Sequence, residues 1–347
     1  MDLETATARI INGQDLTADE MKSVMRPIMH GNAKDAQISA FLKALSVKNE
    51  TVEEIKGAVQ IMRELVIPVN VNSLDVLDIV GTGGDGANLF NISTATSFVV
   101  AAAGVKVAKH GNRSVSSSTG AADVLEAAGV NINLSPKQVG LCVEKVGIGF
   151  MFAPVHHPAM RYAVAARKAL GLRTIFNILG PMTNPAGSKR QLIGVYSREL
   201  CAPVAKVLGD LGAQRLMVVH SRDGLDEISI VEDTEVVEFH DGKTFKYTIK
   251  PEEFGLKHAS LAGLSVKSPE ESVKIIMDCF EEQEQEHQYS EAARDIIVIN
   301  AGAALYLSES VKNIADGVAL AKETISSGLA SAKIAQLIDF TLRLKTN

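Results

Sequence analysis

The chain has little cysteine, no tryptophan and no long apolar run. Its 347 residues include three cysteines that lie far apart, so neither a disulfide framework nor a zinc ribbon is expected. The longest apolar stretch, Phe98–Gly104, is far shorter than the ~20 residues that cross a bilayer. The N-terminus carries acidic residues before any apolar segment, which argues against a signal peptide. These absences predict a cytoplasmic protein that does not bind membranes.

The chain also lacks an excess of positive charge. Lys and Arg number 35 against 41 Asp and Glu, which gives a net charge of −6. A protein that coats nucleic acid would be strongly basic, so nucleic-acid binding is not expected. Hydrophobic residues make up 46% and charged residues 22%, a composition typical of folded proteins. An α/β enzyme acting on small molecules is therefore the leading class.

The order of the patterns predicts a small helical domain followed by a larger α/β domain. Residues 1–70 contain only helical signals, including the capping boxes Thr17–Glu20 and Thr51–Glu54. In residues 71–347, short β-branched runs alternate with helical segments of about 10–15 residues. This alternation predicts a mostly parallel central sheet flanked by helices, which forms the catalytic domain. Helices from about 158–189 are expected to join the helical domain.

The segment Gly81–Gly86, GTGGDG, follows an apolar run and precedes a helix. It matches the dinucleotide-binding pattern, but no Asp or Glu occurs in 87–122 to hold a ribose, which argues against a nicotinamide cofactor. That window carries Lys106, Lys109 and Arg113 instead. Backbone N–H groups backed by fixed cations suit a polyanion. The alternative is a tight turn that needs glycine only for its backbone conformation.

Two more polar segments are expected beside the glycine loop. Asn91–Thr94, NIST, opens the next helix and can cap it, touch a phosphate, or do both. Lys109–Ser117, KHGNRSVSS, follows the next strand and supplies two cations, one amide and three hydroxyls. Because neighbouring parallel strands end at one edge of a sheet, these segments should face the glycine loop. Together they predict a binding site for an anion.

With FAPVHHPAMR and RTIFNILGPMTNP further on, these motifs resemble those of the anthranilate phosphoribosyltransferases of tryptophan biosynthesis, over essentially the whole chain. KHGNR and HHPAMR separate that family from the pyrimidine nucleoside phosphorylases that share its fold. The resemblance implies transfer of a 5-phosphoribosyl group from phosphoribosyl pyrophosphate to the amine of anthranilate, with release of pyrophosphate. It also implies Mg²⁺, with two ions in each active site, and a homodimer formed through the helical domain.

The resemblance assigns residues to three parts of an active site. The Mg²⁺ ligands would be Ser93, Asp226 and Glu227. The contacts to anthranilate would be Gly81, Asn112, His157 and Arg167. The contacts to phosphoribosyl pyrophosphate would be Gly81, Gly84, Asp85, Asn91, Ile92, Ser93, Thr94, Lys109, His110, Gly111, Asn112, Arg113, Ser114, Val115, Ser116 and Ser117.

The chain departs from the family's pattern at two positions. Leu89 stands where the family usually has Thr, and Ala121 where it usually has Ser. Each replacement removes a hydroxyl from the expected phosphate site, at a cost of roughly 0.5–1.5 kcal/mol for a lost hydrogen bond. Those two contacts are therefore in doubt, and the activity is not.

The chemistry of several residues can also be argued without the resemblance. Asp226 and Glu227 follow a turn, and adjacent carboxylates can serve one Mg²⁺ site only at a bend; we expect that bend to be solvent-accessible. Helical spacing places Arg167 on the apolar face of 158–170 with Ala163, Val164 and Leu170. A cation there requires an anion, which is either a structural carboxylate or the carboxylate of a substrate.

Several questions stay open at this point. His156 and His157 either line an aromatic pocket or serve the fold, and no general base is assigned. A nucleoside phosphorylase of the same fold is the enzymatic alternative. A non-catalytic relative that binds nucleic acid is the other, but it should lose the metal carboxylates and gain a basic groove, whereas this chain keeps Asp226 and Glu227 at a net charge of −6.

Overall fold

A computed structural model describes residues 1–73, 75–114, 118–258, 260–281 and 290–344 of the chain. Val115, Ser116 and Ser117 of the second polar loop lie outside the described residues. The strands are β1 Leu77–Gly81, β2 Val107–Gly111, β3 Ile148–Phe152, β4 Arg190–Gly194, β5 Arg215–Ser221, β6 Thr234–His240 and β7 Lys243–Ile249. The α-helices are α1 Leu3–Ile11, α2 Ala18–Met29, α3 Asp35–Lys48, α4 Val52–Glu64, α5 Ile92–Ala102, α6 Ala121–Ala127, α7 Pro136–Val146, α8 Ala153–His156, α9 Arg161–Leu170, α10 Phe176–Leu179, α11 Cys201–Asp210, α12 Pro269–Phe280, α13 Ser290–Leu307, α14 Ile314–Ser326 and α15 Leu329–Arg343.

The seven strands form one sheet in the order β3-β2-β1-β4-β5-β6-β7. Strands β1 to β5 are parallel, and β6 and β7 close the sheet as an antiparallel hairpin around Asp241–Gly242. The predicted mostly parallel sheet flanked by helices is confirmed. The sequence predicts that the second polar loop begins at Lys109, directly after a strand that ends at Ala108, and this strand end is wrong. Strand β2 runs to Gly111, because Lys109 and His110 continue its pairing with β3. Apolar runs mark only part of a buried strand.

The sheet reverses its direction of growth beside β1. From β1 the chain adds β2 and then β3 on one side, and it returns to place β4 on the other side of β1. In open α/β sheets, ligands bind beyond the carboxyl ends of the strands at such a reversal. Gly81 and Gly194, the last residues of β1 and β4, pair with each other there.

The N-terminal helices start where the capping boxes predict. Thr17 and Thr51 each accept the N–H of the Glu three residues on, and that Glu accepts the N–H of the Thr in return. Helices α9 and α10 pack against these helices, and the shared apolar core continues onto one face of the sheet. Helices α5, α13 and α15 lie in the core on the other side. Within the described residues, no helix is long and apolar enough to cross a membrane.

Candidate active site at the carboxyl edge of the sheet

Asp226 is wedged over the ends of β1 and β4. A Cβ atom at Gly194 would lie 1.5 Å from the backbone oxygen of Asp226, and one at Gly81 would lie 2.4 Å from its Oδ2. Only glycine therefore fits at either strand end. The same Oδ2 accepts the N–H of Gly83 at 2.6 Å. This contact ties the start of the glycine loop, residues 82–86, to the segment between β5 and β6.

Asp226 and Glu227 serve one site because they lie in an irregular segment between β5 and β6. The expected solvent-accessible turn is wrong: Asp226 is buried at 9% exposure and Glu227 is half-buried, because the segment packs onto the strand ends. Burial, together with the nearby Asp85, raises the pKa of Asp226 to about 7. Burial and the neighbouring Asp226 raise the pKa of Glu227 well above its usual range, while the Ser93 N–H and Lys109 oppose the shift.

This donor set fits a hard divalent cation. Two adjacent carboxylates and the Ser93 hydroxyl are the oxygen ligands that Mg²⁺ prefers, and a bound cation would favour the charged form of both carboxylates. Among the residues that the structure describes, no group of three or more His, Cys, Asp or Glu is arranged to hold a metal. In proteins Mg²⁺ usually takes one or two carboxylates together with phosphate and water oxygens.

Lys109 is the buried cation of the site. Its Nζ donates to the backbone oxygen of Ile79 at 2.6 Å and to Ser93 Oγ at 3.1 Å. Burial lowers the pKa of Lys109 to about 8, and the nearby Asp78 and Glu227 oppose that shift. Asp78 is fully buried in β1, where its Oδ1 accepts the His110 N–H at 3.1 Å and burial raises its pKa to about 6. Sequence reasoning did not single out Asp78, although a lone carboxylate in an apolar strand is a recognisable signal.

The start of α5 presents backbone donors to the same place. Asn91 caps the helix, since its Oδ1 accepts the Thr94 N–H at 3.0 Å. Ile92 has a buried side chain, so only its backbone can contact a ligand. The Thr94 hydroxyl is buried and has no partner within the described residues. The N–H groups of the first turn remain for an anion, as the helix dipole favours.

The second polar loop begins at the same edge, but its arginine points elsewhere. Arg113 forms ion pairs with Asp123 at 2.9 Å and Glu126 at 2.8 Å, and these carboxylates hold its pKa above the usual range. Asp123 also accepts the N–H groups of Ser114 and Gly120. The role of Arg113 as a phosphate ligand therefore stays a prediction. Asn112 accepts the N–H of Arg113 through its own side chain at 2.8 Å.

Lys106 does not belong to the site, although the sequence groups it with Lys109 and Arg113 in the positively charged window 87–122. It precedes β2 at the opposite edge of the sheet and pairs with Glu144 of α7. The two departures from the family pattern serve packing. Leu89 bridges Ser265 and packs on the core, and Ala121 begins α6 beside Gly111.

His110 and His157 meet between the end of β2 and the short helices around α9. Their ring centroids are 5.0 Å apart, and His110 Nδ1 lies 3.2 Å from the Gly180 oxygen, to which it donates. Both Nε2 atoms are buried without a partner in the described part of the chain. Burial lowers the pKa of His157 to about 4 and that of His110 well below its usual range, so both rings are neutral at pH 7. His156 instead bonds the Ile67 oxygen and joins two segments of the fold.

Arg167 lies half-buried on α9 with its guanidinium 5.3 Å above the centre of the Phe176 ring. The described residues place no carboxylate within 4.0 Å of it, so the structural-carboxylate interpretation loses its support. Burial lowers the pKa of Arg167. The predicted face is partly wrong: Ala163 is buried, but Val164 is 53% exposed, because the stripe of α9 that packs on α3 is narrow.

Comparison with known proteins gives one consistent result. Residues 4–66 match the model described as "Glycosyl transferase family, helical bundle domain", and residues 73–331 match "Glycosyl transferase family, a/b domain". An anthranilate phosphoribosyltransferase from Marinobacter nauticus is 55% identical over 98% of this chain and 99% of its own length.

Solved structures agree with this match. The crystal structure of anthranilate phosphoribosyltransferase from Thermus thermophilus has a TM-score of 0.89 and 41% identity, covering 97% of this chain and 99% of that one. The enzyme from Saccharomyces cerevisiae in complex with PRPP and Mg has a TM-score of 0.88 and 28% identity, covering 98% of both chains.

The close contact of Asp226 with Gly81 and Gly194 predicts that adding one methyl group at Gly194 destabilises the fold. Gly194→Ala should lower the free energy of unfolding by about 1–3 kcal/mol, because Cβ would overlap the Asp226 backbone. Gly180→Ala is the matched control, since its Cβ would meet nothing within 4 Å and its backbone suits any residue. Urea unfolding of both variants checks this, and equal stability of the two would contradict the wedge.

Proposed function

This chain belongs to the anthranilate phosphoribosyltransferase family, and we propose that its sheet edge holds phosphoribosyl pyrophosphate while the pocket beside α9 holds anthranilate. The enzyme transfers the 5-phosphoribosyl group to the amine of anthranilate and releases pyrophosphate. The observation that carries the proposed arrangement is the meeting of Asp226, Glu227, Ser93 and Lys109 beyond the ends of β1 and β4. As the resemblance implies, the reaction belongs to tryptophan biosynthesis in the cytoplasm.

Phosphoribosyl pyrophosphate is proposed to bind between the glycine loop and the start of α5. The N–H groups of the loop and of the first helical turn supply neutral donors, and Lys109 supplies a fixed positive charge. Lys109 is held by the Ile79 oxygen, so its position costs little reorganisation when the anion arrives. Asn112 and the described part of the second loop would close the site from the other side.

Asp226, Glu227 and Ser93 are the proposed ligands of Mg²⁺, and two ions per site remain the expectation from the family. Bound Mg²⁺ would neutralise the charge that develops on the departing pyrophosphate. The protein's part is to hold both carboxylates at the strand ends, Asp226 through the Gly83 N–H and Glu227 beside the Ser93 N–H.

Anthranilate is proposed to bind with its carboxylate on Arg167 and its amine toward the two neutral histidines. A half-buried guanidinium without a carboxylate partner in the described residues suits a planar carboxylate, which it can bind through two parallel hydrogen bonds. The Nε2 atom of His110 carries a lone pair, because its Nδ1–H donates to Gly180. That lone pair can accept an amine N–H, and His157 extends the same wall of the pocket.

The rate enhancement then comes from positioning and electrostatics. The pocket would hold the aromatic amine in line with the ribose carbon, and the loop donors and Lys109 would stabilise the leaving group. No nucleophile from the protein is required, since pyrophosphate leaves readily once its charge is balanced. No general base is assigned.

The central test is consumption of anthranilate, followed by its fluorescence. The signal should fall only when both phosphoribosyl pyrophosphate and Mg²⁺ are present. Asp226→Asn and Glu227→Gln should lower turnover by orders of magnitude, because the metal loses charged ligands. Stability should not fall for Asp226→Asn, since the amide oxygen can still accept the Gly83 N–H and a buried charge is removed.

Glu232→Gln is the control for this test, because Glu232 is an exposed acid in the same segment. Full turnover of Asp226→Asn at saturating Mg²⁺ would contradict the metal assignment. Phosphorolysis of a nucleoside by the wild-type protein would instead favour the phosphorylase alternative.

The two substrates should respond to different cations. Arg167→Ala should weaken the use of anthranilate by roughly 2–5 kcal/mol in kcat/KM, since it removes the partner of a desolvated carboxylate. Lys109→Ala should raise the KM for phosphoribosyl pyrophosphate first. Lys168→Ala, an exposed cation on the same helix as Arg167, is the matched control. A lower melting temperature of Arg167→Ala with an unaltered anthranilate KM would make Arg167 structural.

We also propose that the helical domain comprises residues 1–70 with 158–189 and forms a homodimer. Helices α1, α3 and α9 pack side by side, and each carries an apolar side chain that faces solvent. Ile11 is 71% exposed, Val47 77% and Val164 53%, and Leu172 just beyond α9 is 41% exposed. Exposed apolar side chains on neighbouring helices are typical of a surface that binds another protein. A second copy of this chain is the proposed partner.

Charge on this face should therefore dissociate the dimer. Val47→Asp and Val164→Asp should each yield a monomer in sedimentation equilibrium, because the interface would bury an unpaired carboxylate. Leu329→Asp on α15 is the control, since Leu329 is 51% exposed but lies on the α/β domain. A dimer that survives both substitutions, or a wild-type monomer, would remove this interface.

A further inference from the structure

Arg173 connects the helical domain to the glycine loop. It lies between α9 and α10 and is exposed. Its Nη2 donates a hydrogen bond to the backbone oxygen of Gly84, and its guanidinium lies 4.2 Å above the ring of Tyr196. Its own backbone oxygen accepts the Ser46 hydroxyl of α3 at 3.0 Å. The residue is therefore anchored on the helical domain at its backbone and on the glycine loop at its side chain.

The glycine loop depends on such outside contacts for its shape. Gly83, Gly84 and Gly86 have φ values of +65°, +80° and +79°. A Cβ atom at Gly83 or Gly86 would meet nothing within 4 Å, so no side chain packs on the loop at these two positions. Ordering glycine costs more conformational entropy than ordering any other residue. Within the described residues, the backbone of 83–86 makes two long-range hydrogen bonds, from the Gly83 N–H to Asp226 and from Arg173 to the Gly84 oxygen.

The contact with Arg173 also decides which way one peptide group faces. A trans peptide is planar, so its C=O and the following N–H point in opposite directions. Holding the Gly84 oxygen toward Arg173 turns the Asp85 N–H away from it, and that N–H makes no hydrogen bond within the described part of the chain. Glycine allows such a peptide to flip at little steric cost. A flipped peptide would present an oxygen, where a bound anion needs a donor.

We propose that Arg173 is a positioning residue for phosphoribosyl pyrophosphate, which holds the Gly84 carbonyl so that the loop N–H groups stay turned toward the pyrophosphate. This inference rests on the proposed function of the site. The ring of Tyr196 stacks on the Arg173 guanidinium, and the backbone N–H of Tyr196 donates to Thr82 Oγ1 at 3.1 Å. Tyr196 therefore contacts both Arg173 and the start of the glycine loop. Through Ser46, the orientation of the loop is coupled to the domain that carries the anthranilate pocket.

The test compares Arg173→Ala and Arg173→Lys with Arg161→Ala. Arg161 is a matched control, because it is exposed, stacks at 4.6 Å on Tyr162 and has no described contact with the loop. The KM for each substrate is measured, and binding of phosphoribosyl pyrophosphate with Mg²⁺ but without anthranilate is measured by calorimetry. A melting curve accompanies each variant.

Arg173→Ala should raise both the KM and the Kd for phosphoribosyl pyrophosphate by about tenfold or more, since a charge-assisted hydrogen bond is lost. The anthranilate KM should change by less than about twofold, and the melting temperature by less than about 2 °C, as expected for an exposed side chain. Arg173→Lys should fall between the wild type and Arg173→Ala, because lysine can donate to the carbonyl but cannot stack on Tyr196 as a planar fork. Arg161→Ala should match the wild type.

Three results would overturn the inference. An increase in the anthranilate KM alone would make Arg173 a contact of that substrate. A lower melting temperature with an unchanged Kd for phosphoribosyl pyrophosphate would make it structural. If Arg161→Ala weakens the binding of phosphoribosyl pyrophosphate equally, the effect of Arg173→Ala comes from the loss of surface charge and not from the loop contact. If the wild-type protein binds phosphoribosyl pyrophosphate but does not consume anthranilate, the proposed function is wrong. The calorimetric comparison of the variants would still test the role of Arg173.

Discussion

The site depends on the contact between Asp226 and the paired glycines that end β1 and β4. Neither Gly81 nor Gly194 leaves room for a side chain, so the segment after β5 can lie directly on the strand ends. This placement brings two carboxylates to the point where the sheet reverses its order, beside the glycine loop and the start of α5. A side chain at either glycine could not be accommodated without moving the carboxylates.

Burial then sets the electrostatics of the edge. It raises the pKa of Asp226 and of Asp78, and it lowers the pKa of Lys109, because burial disfavours the charged form of each group. Such a set is unfavourable as a source of stability, because buried ion pairs rarely recover their desolvation cost. It suits the proposed binding of a metal pyrophosphate, whose opposite charges would lie beside groups that the fold already holds in place.

Much of this arrangement could be predicted from local patterns. The capping boxes, the alternation of strands and helices, and the segments GTGGDG and NIST each depend on neighbours in sequence, and each lies where its pattern indicates. Long-range contacts could not be predicted in this way. Three such contacts join residues from different elements: the packing that buries Asp226, the ion pairs of Arg113 with carboxylates, and the hydrogen bond from Arg173 to the Gly84 oxygen. Lys106 illustrates the limit, because a count of charge along the chain cannot tell the two edges of a sheet apart.

The two domains share one apolar core, and this continuity explains how distant groups can act on one reaction. Helices α9 and α10 pack on the N-terminal helices, while the same core reaches β4 and β5. Arg167 on α9 and Arg173 just after it therefore lie close together along the chain, the first beside Phe176 and the second on the glycine loop. A shift of residues 167–173 toward the sheet would move the proposed anthranilate carboxylate site and the loop carbonyl together. The fold thus connects the proposed anthranilate site to the loop whose N–H groups are the proposed donors to phosphoribosyl pyrophosphate.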